Sequence, residues 1–509
     1  MPTLYTSLLA RHRNRRNVVT LAPKNQLSPI PSEVESLPLE AWRTQVAESH
    51  AGYLAEIFQL EAPSRSVGVI GAGLAGLSIA YELRRRRYAV TVLEASDIPG
   101  GRTRTIHKLV AHHPMDGGAE LIGSNHALWL HYRDVFRLGL SDVLDYKESP
   151  IAVGKTRLSK SAGKSLLHQM DEAFDYISAR AKTIVDPFSP WTDPQAAALD
   201  QQNVYDFVVR TRWPRLCKEA VLQQLESDNG VTAKKQSLLA LLAMVKGGGM
   251  ERYWLDTEVY RCKRGTQALS LAFASALQGL QSSIQYGDPV DQIDATGKQV
   301  KLRTRSGKSY EFDDVILAIA PSTWTNIPIW MPNTLASFVA APPQMGKNVK
   351  SLLAFRQRLW SKQRLGPNAT LNGPVDQTWE TTEAHSSPEF GMVGFSGADH
   401  ADRLSKMSAA NVQQSVVTGL QHIYKKTGAR LKQFQFMNWP TEPWALASYS
   451  FPDCGDIMRW GQKFSDGYQG KLHFAGEHTC YAFTGYMEGA LQSGYRLARK
   501  LALRDGGKW

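Results

Sequence analysis

The run Gly71-Ala-Gly73-Leu-Ala-Gly76, set between Ser66-Val-Gly-Val-Ile70 and a helical stretch over residues 74 to 87, constrains this chain more than any other feature. Glycines at this spacing are weak information alone. Between a strand and a helix they describe the turn of a βαβ unit that holds a dinucleotide. Gly71 permits the tight turn, Gly73 lets the backbone approach a pyrophosphate, and Gly76 lets the helix pack close on the strand. The helix N-terminus then offers free N–H groups and partial positive charge to phosphate. A second strand, Ala89 to Leu93, ends at Glu94, where a carboxylate roughly twenty residues past the glycines hydrogen-bonds a ribose hydroxyl. The competing reading is a glycine turn with an incidental acid. It leaves the order of strand, turn, helix, strand and acid unexplained.

The rest of the sequence describes a globular enzyme. Its 509 residues exceed one simple core and call for two or three packed domains. No run of about eighteen apolar residues predicts a membrane span. The formal charge of +12 raises the question of nucleic acid. However, the basic residues are scattered or fall in two short runs, Arg11 to Arg16 and Arg84 to Arg87, without interleaved aromatics, so no nucleic-acid partner is expected. The first run reads as a solvated tail, and the second closes a helix, where cations complement the dipole. The four cysteines, Cys217, Cys262, Cys454 and Cys480, show neither metal spacing nor a disulfide pattern, so no metal is expected. The N-terminus lacks the apolar core of a secretory signal, and a cytoplasmic location is the expectation. Leu39 to Leu60 has helical spacing, and strands are predicted at Ser283–Tyr286, Val300–Thr304, Val315–Ala318, Lys347–Phe355 and Lys471–Ala475, with a final helix over Met487–Ala502.

Directly after Glu94 comes Gly100-Gly101-Arg102-Thr103-Arg104, which a nicotinamide-binding turn does not need. Near the C-terminus stand Phe474-Ala-Gly476-Glu477-His478-Thr479 and Gly485-Tyr486-Met487-Glu488-Gly489-Ala490. With these segments, residues 65 to about 502 resemble the flavin amine oxidase family, which includes monoamine, polyamine and L-amino-acid oxidases. The resemblance implies an α/β fold: a Rossmann-like FAD-binding domain of the GR2 type, an α+β substrate-binding domain and a helical insertion. The implied boundaries are an N-terminal extension over 1–63 and an FAD-binding domain from 64–125, 258–330 and 470–509. The mainly helical part is 126–257 and the substrate-binding part 331–469.

The same resemblance assigns residues. Gly101 and Arg102 lie over the FAD, with Arg102 on the pyrophosphate, a role suited to a planar guanidinium. Val290 meets the adenine, although an ordinary strand valine reads identically. Glu477 lies near the ribityl–phosphate region, and Tyr486 and Met487 belong to the helix start under the flavin. Tyr449 and Tyr486 bracket the substrate amine. Ser448 stands where monoamine oxidases carry the cysteine that tethers the flavin, so FAD is expected to be non-covalent. Alternation over Met345 to Phe355 points Lys350 inward, where the family's lysine holds a water against the reactive flavin nitrogen; a lysine snorkelling from a strand end is the alternative.

The expected reaction is oxidation of a C–N bond, with dioxygen reoxidising the flavin to give hydrogen peroxide. Asp116 to His126 and Tyr253 to Cys262 look most like bacterial L-amino-acid oxidases of basic amino acids, implying an arginine or lysine oxidase that yields the 2-oxo acid and ammonia. Glu258 or Asp256, with Trp254 or Trp444, would take the cationic side chain, unless these acids pair with Arg252, Arg261 or Lys263. The stretch after Gly118 holds no arginine for a substrate carboxylate. That keeps a monoamine or polyamine oxidase open, as well as an oxidase/monooxygenase giving a carboxamide. A non-enzymatic flavin-containing interaction protein is a further alternative. Oligomeric state is not legible; a homodimer is allowed.

Overall fold

The computed structural model describes residues 27, 30–57, 63, 65–143, 149–153, 156–331, 339–363, 365–382, 389–507 and 509. The basic run Arg11 to Arg16 lies outside them. The apolar segment after Arg65 forms β1 (Ser66–Ile70), which passes through the glycine turn into α1 (Leu74–Arg84) and returns as β2 (Ala89–Leu93). After an excursion the chain rejoins this unit with α2 (Gln267–Gly279), β3 (Ser283–Gln285) and β4 (Asp314–Leu317). It leaves again through the long strand β5 (Asn348–Phe355) and returns as β6 (Leu472–Phe474) and α3 (Met487–Arg504). The order β3-β2-β1-β4-β6 makes a five-stranded parallel sheet. α1 and α3 pack closely at Gly494, where a Cβ would meet Ser78 Oγ at 2.2 Å and the Ala75 carbonyl at 2.7 Å.

One carboxylate ties the centre of this sheet to its last strand and to α3. Asp314, fully buried at the start of β4, accepts from Arg65 Nε at 2.8 Å, His473 Nε2 at 2.9 Å, and Arg504 Nη1 and Nη2 at 2.8 and 2.9 Å. It thereby joins the entry to β1, the middle of β6 and the end of α3. Burial pushes its carboxyl up, but the hydrogen bonds from Arg504, His473 and Arg65 outweigh this and hold it well below the usual carboxylate range.

The second large sheet is antiparallel, in the order 369–370, 377–380, 390–397, β5, 431–438. All eight β5 residues are buried. Val349, Leu353 and Phe355 pack with Val412, Val416 and Leu420, while Leu352 and Ala354 pack with Leu109, Val110 and Met115. This period-two division turns Lys350 away from the helical layer and toward the parallel sheet's side of the molecule.

The region 126–257 is mainly helical, led by Lys160–Ala181, Arg215–Asn229 and Leu238–Gly247. Three strands of two or three residues (Leu140–Asp142, Ala152–Val153 and Thr156–Arg157) lie between its helices. They are too short to show alternation. The helix expected over Leu39–Leu60 runs Leu39–Ala51, breaks at Gly52, and resumes only as Leu54–Ile57, consistent with glycine's poor helix propensity; residues 58 to 60 lie outside the described residues. Among the described residues no helix is long and apolar enough to cross a membrane.

Replacing Asp314 with Asn should lower unfolding stability by about 3 kcal/mol, because two arginines and a histidine lose their anion. The lower end of the range applies because Arg65 and Arg504 keep 35% and 31% of their side chains exposed. The stabilisation from a depressed carboxyl is complete above its unfolded value, near about 4, and is lost as pH falls through the lower folded value. Denaturant melts should therefore separate wild type from Asp314→Asn at neutral pH and converge in acid.

Candidate active site

A cavity of about 540 Å³ runs from the glycine turn to β5. One end is lined by Gly71, Gly73, Glu94, Arg102 and Val290, the other by Lys350, Tyr449 and Tyr486. The glycines divide their work in space. At Gly71, with φ +105°, a Cβ would meet the Ala318 carbonyl at 2.8 Å, and at Gly76 one would meet the Gly71 carbonyl at 2.0 Å. At Gly73 nothing lies within 4 Å, so this glycine keeps room open for something other than protein. Glu94 accepts from Ala72 N at 2.6 Å and from Ser96 N and Oγ at 2.9 and 2.7 Å, which fixes its carboxylate at the cavity wall. The start of α3 reaches the cavity through Met487 and Ala490.

Glu477 organises the middle of the site. It accepts from Arg102 Nη1 at 2.7 Å, Ser450 N at 3.1 Å, Ser450 Oγ at 2.5 Å and Gly485 N at 2.7 Å. Although burial raises a carboxyl, Arg102 leads the opposing effects and Glu477 stays below its ordinary value. Its carboxylate thus aims Arg102 and fixes the turn carrying Tyr486. Ser448 Oγ donates to Gly346 O at 2.9 Å and Asn348 Oδ1 at 2.7 Å. None of the four cysteines lines the cavity. The open backbone at Gly73, the Glu94 carboxylate at the wall, the arginine and the helix start together fit FAD, and none of the four thiols lines the cavity to tether it.

At the other end Lys350, 4% exposed, donates to Glu120 Oε2 at 2.8 Å and to the Asp116 carbonyl at 3.1 Å. Glu120 also accepts from Arg261 Nε at 2.9 Å and Trp379 Nε1 at 3.1 Å. Burial raises Glu120, but Lys350 and Arg261 outweigh it and its carboxyl lies below the usual range. Tyr449 donates through its hydroxyl to the Asp228 carbonyl, and Tyr486 donates to Tyr253 Oη at 3.2 Å. His126 sits edge-on to Tyr486 at 5.5 Å. Its Nδ1 accepts from Gly123 N at 2.9 Å, and burial lowers its pKa to about 3, so it is a neutral ring.

Glu258 is buried with no hydrogen-bond partner for either oxygen among the described residues. Burial pushes its carboxyl up to about 8, with Asp228 and Glu120 adding to the rise. Burial likewise raises Asp228 to about 6. Both acids lie within electrostatic reach of Tyr449 and Tyr486.

Two expected substrate contacts lie elsewhere. Trp254 stacks on Phe174, with centroids 4.2 Å apart, and donates through Nε1 to Ser178 Oγ at 2.9 Å; it is core and cannot present its face to a ligand. Asp256 pairs with Arg252 Nε at 2.9 Å, one turn away on the same helix, and does not line the cavity. Trp444 does line it, but 40% exposed and with the Arg305 guanidinium 5.6 Å from its ring, on the side of Val290. Sequence reasoning missed Glu120 and Asp228, which, like Glu258, do not line the cavity themselves; Glu120 holds Lys350 and the Asp228 carbonyl accepts from Tyr449. The signal for Glu120 was a lone acid in the apolar Ala119-Glu-Leu-Ile-Gly123 segment.

Residues 74–502 match the family described as flavin-containing amine oxidoreductase. Amine oxidase (flavin-containing) A of Equus caballus is 24% identical over 471 residues, covering 86% of this chain and 84% of its own length. The probable flavin-containing monoamine oxidase A of Dictyostelium discoideum is 23% identical, covering 86% of this chain and 97% of its own. Among solved structures, putrescine oxidase bound to putrescine superposes with a TM-score of 0.77 at 21% identity, over 86% of this chain and 99% of the other. Cyclohexylamine oxidase from Brevibacterium oxydans gives 0.75 at 21%, over 87% and 99%. These two show the shared fold.

Gly73→Ala adds a methyl where no protein atom lies within 4 Å. It should leave the melt unchanged while weakening FAD by at least about tenfold, measured by fluorescence titration of the apoprotein. Gly76→Ala, which presses on backbone, should lose both folding and cofactor.

Proposed function

Because this chain belongs to the flavin-containing amine oxidoreductase family, we propose that it is an FAD-dependent oxidase of small amines that carry a second positive charge. The single observation behind this is Glu258, a buried carboxyl within electrostatic reach of Tyr449, Tyr486 and Asp228, with no hydrogen-bond partner among the described residues. A buried acid without a partner is costly unless a ligand supplies one. A substrate ammonium or guanidinium does so: its charge favours the ionised carboxylate, and the proton that burial retains is released to solvent.

Bound FAD supplies the two-electron acceptor, which no side chain provides. The residues of the chain do the rest. Tyr449 and Tyr486 hold the reacting amine in its neutral form and fix its carbon by proximity. Glu258 and Asp228 hold the distal cation. Lys350 keeps an N–H toward the cavity and orders a water there, for use in reoxidation by dioxygen or in hydrolysis of the imine product. Ammonia, a carbonyl compound and hydrogen peroxide follow.

Among the cavity-lining arginines, Arg102 is engaged by Glu477, Arg104 approaches Glu442 at 3.4 Å, and Arg305 lies against Trp444. This supports a diamine or guanidino-amine over an amino acid, whose carboxylate would need a cation. A basic L-amino acid oxidase is the second reading, favoured by the segments 116–126 and 253–262. Glu258 would serve an arginine or lysine side chain in the same way.

Anaerobic titration with putrescine, agmatine, L-arginine, L-lysine and benzylamine separates the readings by loss of the flavin's yellow absorbance. Bleaching by the diamine and agmatine at the lowest concentrations is expected. Preference for L-arginine over agmatine would select the amino-acid reading, and equal response to benzylamine would remove the second charge. Glu258→Gln should raise KM for the dication at least about tenfold with a smaller change for benzylamine. Wild-type affinity for the dication should rise as pH climbs through about 8, where Glu258 ionises, and the variant should lose that rise.

A further inference from the structure

We propose that Glu120 is the positioning residue of Lys350, holding its ammonium so that a single N–H faces the cavity. This rests on the role given to Lys350 above. An ammonium has three N–H donors. Two are taken, by Glu120 Oε2 at 2.8 Å and the Asp116 carbonyl at 3.1 Å, while Lys350 itself lines the cavity wall. Glu120 cannot swing away, because Arg261 and Trp379 hold the same carboxylate. The Trp379 ring also lies 5.4 Å from Lys350 Nζ, which adds a cation–π contact on one side. The side chains of Lys350, Glu120 and Arg261 are 5%, 3% and 10% exposed, so water does not compete for these bonds.

The trio also sets the local charge. Lys350 and Arg261 both meet the carboxylate of Glu120, which tempers the positive charge of the ammonium at the wall. Asp116 carries only part of a negative charge near neutral pH. Its carboxyl accepts from Thr105 Oγ1 at 2.7 Å and Thr266 N at 3.0 Å, and burial raises it to about 7. The strands beside β5 place Phe395 and Met437 at the register of Lys350 and add no charge there. Glu258 is a further acid within electrostatic reach of Lys350. The step served is the passage of two electrons and two protons from the reduced cofactor to dioxygen, forming hydrogen peroxide. It needs both a fixed donor and a tempered positive charge.

The test uses holoenzymes of wild type, Glu120→Gln, Glu120→Asp, Lys350→Met and the double variant Glu120→Gln/Lys350→Met. Each is reduced with dithionite without oxygen and mixed with aerated buffer, so no amine substrate is involved. Reoxidation of Glu120→Gln and Glu120→Asp should slow by about tenfold or more, and the double variant should be no slower than Lys350→Met. Sulfite, an anion that combines with oxidised flavin and bleaches it, should bind Glu120→Gln at least about fivefold tighter and Glu120→Asp as it binds wild type. If Glu120→Gln does not retain FAD, Glu120→Asp carries the test, since it keeps the charge and shortens the reach. Wild-type reoxidation in the yellow Glu120 variants, or an effect of Glu120→Gln undiminished without Lys350, overturns the proposal. Wild-type reoxidation in Lys350→Met instead overturns the role of the lysine, and failure of every amine to bleach the wild type overturns the oxidase reading; both are separate results.

Discussion

An ammonium in the middle of a wholly buried strand is the constraint around which the reactive half of this molecule is arranged. Lys350 has buried residues on either side along β5, and the strand has neighbours on both edges. A charge in such a position requires a counter-charge delivered from another part of the chain. Glu120 supplies it from 230 residues away. Glu120 in turn draws in Arg261, on the strand Tyr260–Cys262, and Trp379, on the strand Gln377–Glu380. One buried anion therefore fastens the antiparallel sheet to the segment that follows the FAD-binding turn, and the cavity lies along that seam.

The cofactor half depends on backbone more than on charge. Gly71 and Gly76 bring β1, α1 and β4 together, and Gly73 stays bare at the surface they form. Two carboxylates act at a distance from chemistry. Asp314 locks the strand ends, and Glu477 converts Arg102, Ser450 and Gly485 into one rigid wall. Both are held below the ordinary carboxylate range by cations and hydrogen bonds that outweigh burial. Glu258 is the opposite case. Burial dominates, and among the described residues neither oxygen has a hydrogen-bond partner, which leaves the group open to a substrate cation.

The sequence made these two halves legible to different depths. Gly71, Gly73 and Glu94 lie within one βαβ unit, so local pattern and spacing pointed to them, whereas Arg102 was reached through the family resemblance; all four line one cavity. Lys350 was legible through alternation, because a strand has only two faces. Its partners were not, since pairing across 230 residues leaves no periodic trace. Trp254 and Asp256 show the limit from the other side. They sit near Glu258 in sequence, yet on the short helix Glu251–Asp256 they point to the Phe174 core and to Arg252. Sequence proximity to a site residue said nothing about which wall each side chain would join.

Rapid anaerobic mixing of the FAD-loaded protein with putrescine, unlabelled and deuterated at the carbons next to nitrogen, addresses the chemistry itself. If a C–H bond of an amine breaks beside Lys350, Tyr449 and Tyr486, flavin bleaching will occur and the deuterated amine will slow it several-fold. A protein that takes up FAD yet is never bleached by putrescine or the other cationic amines, or one that purifies colourless and refuses FAD, would contradict that chemistry.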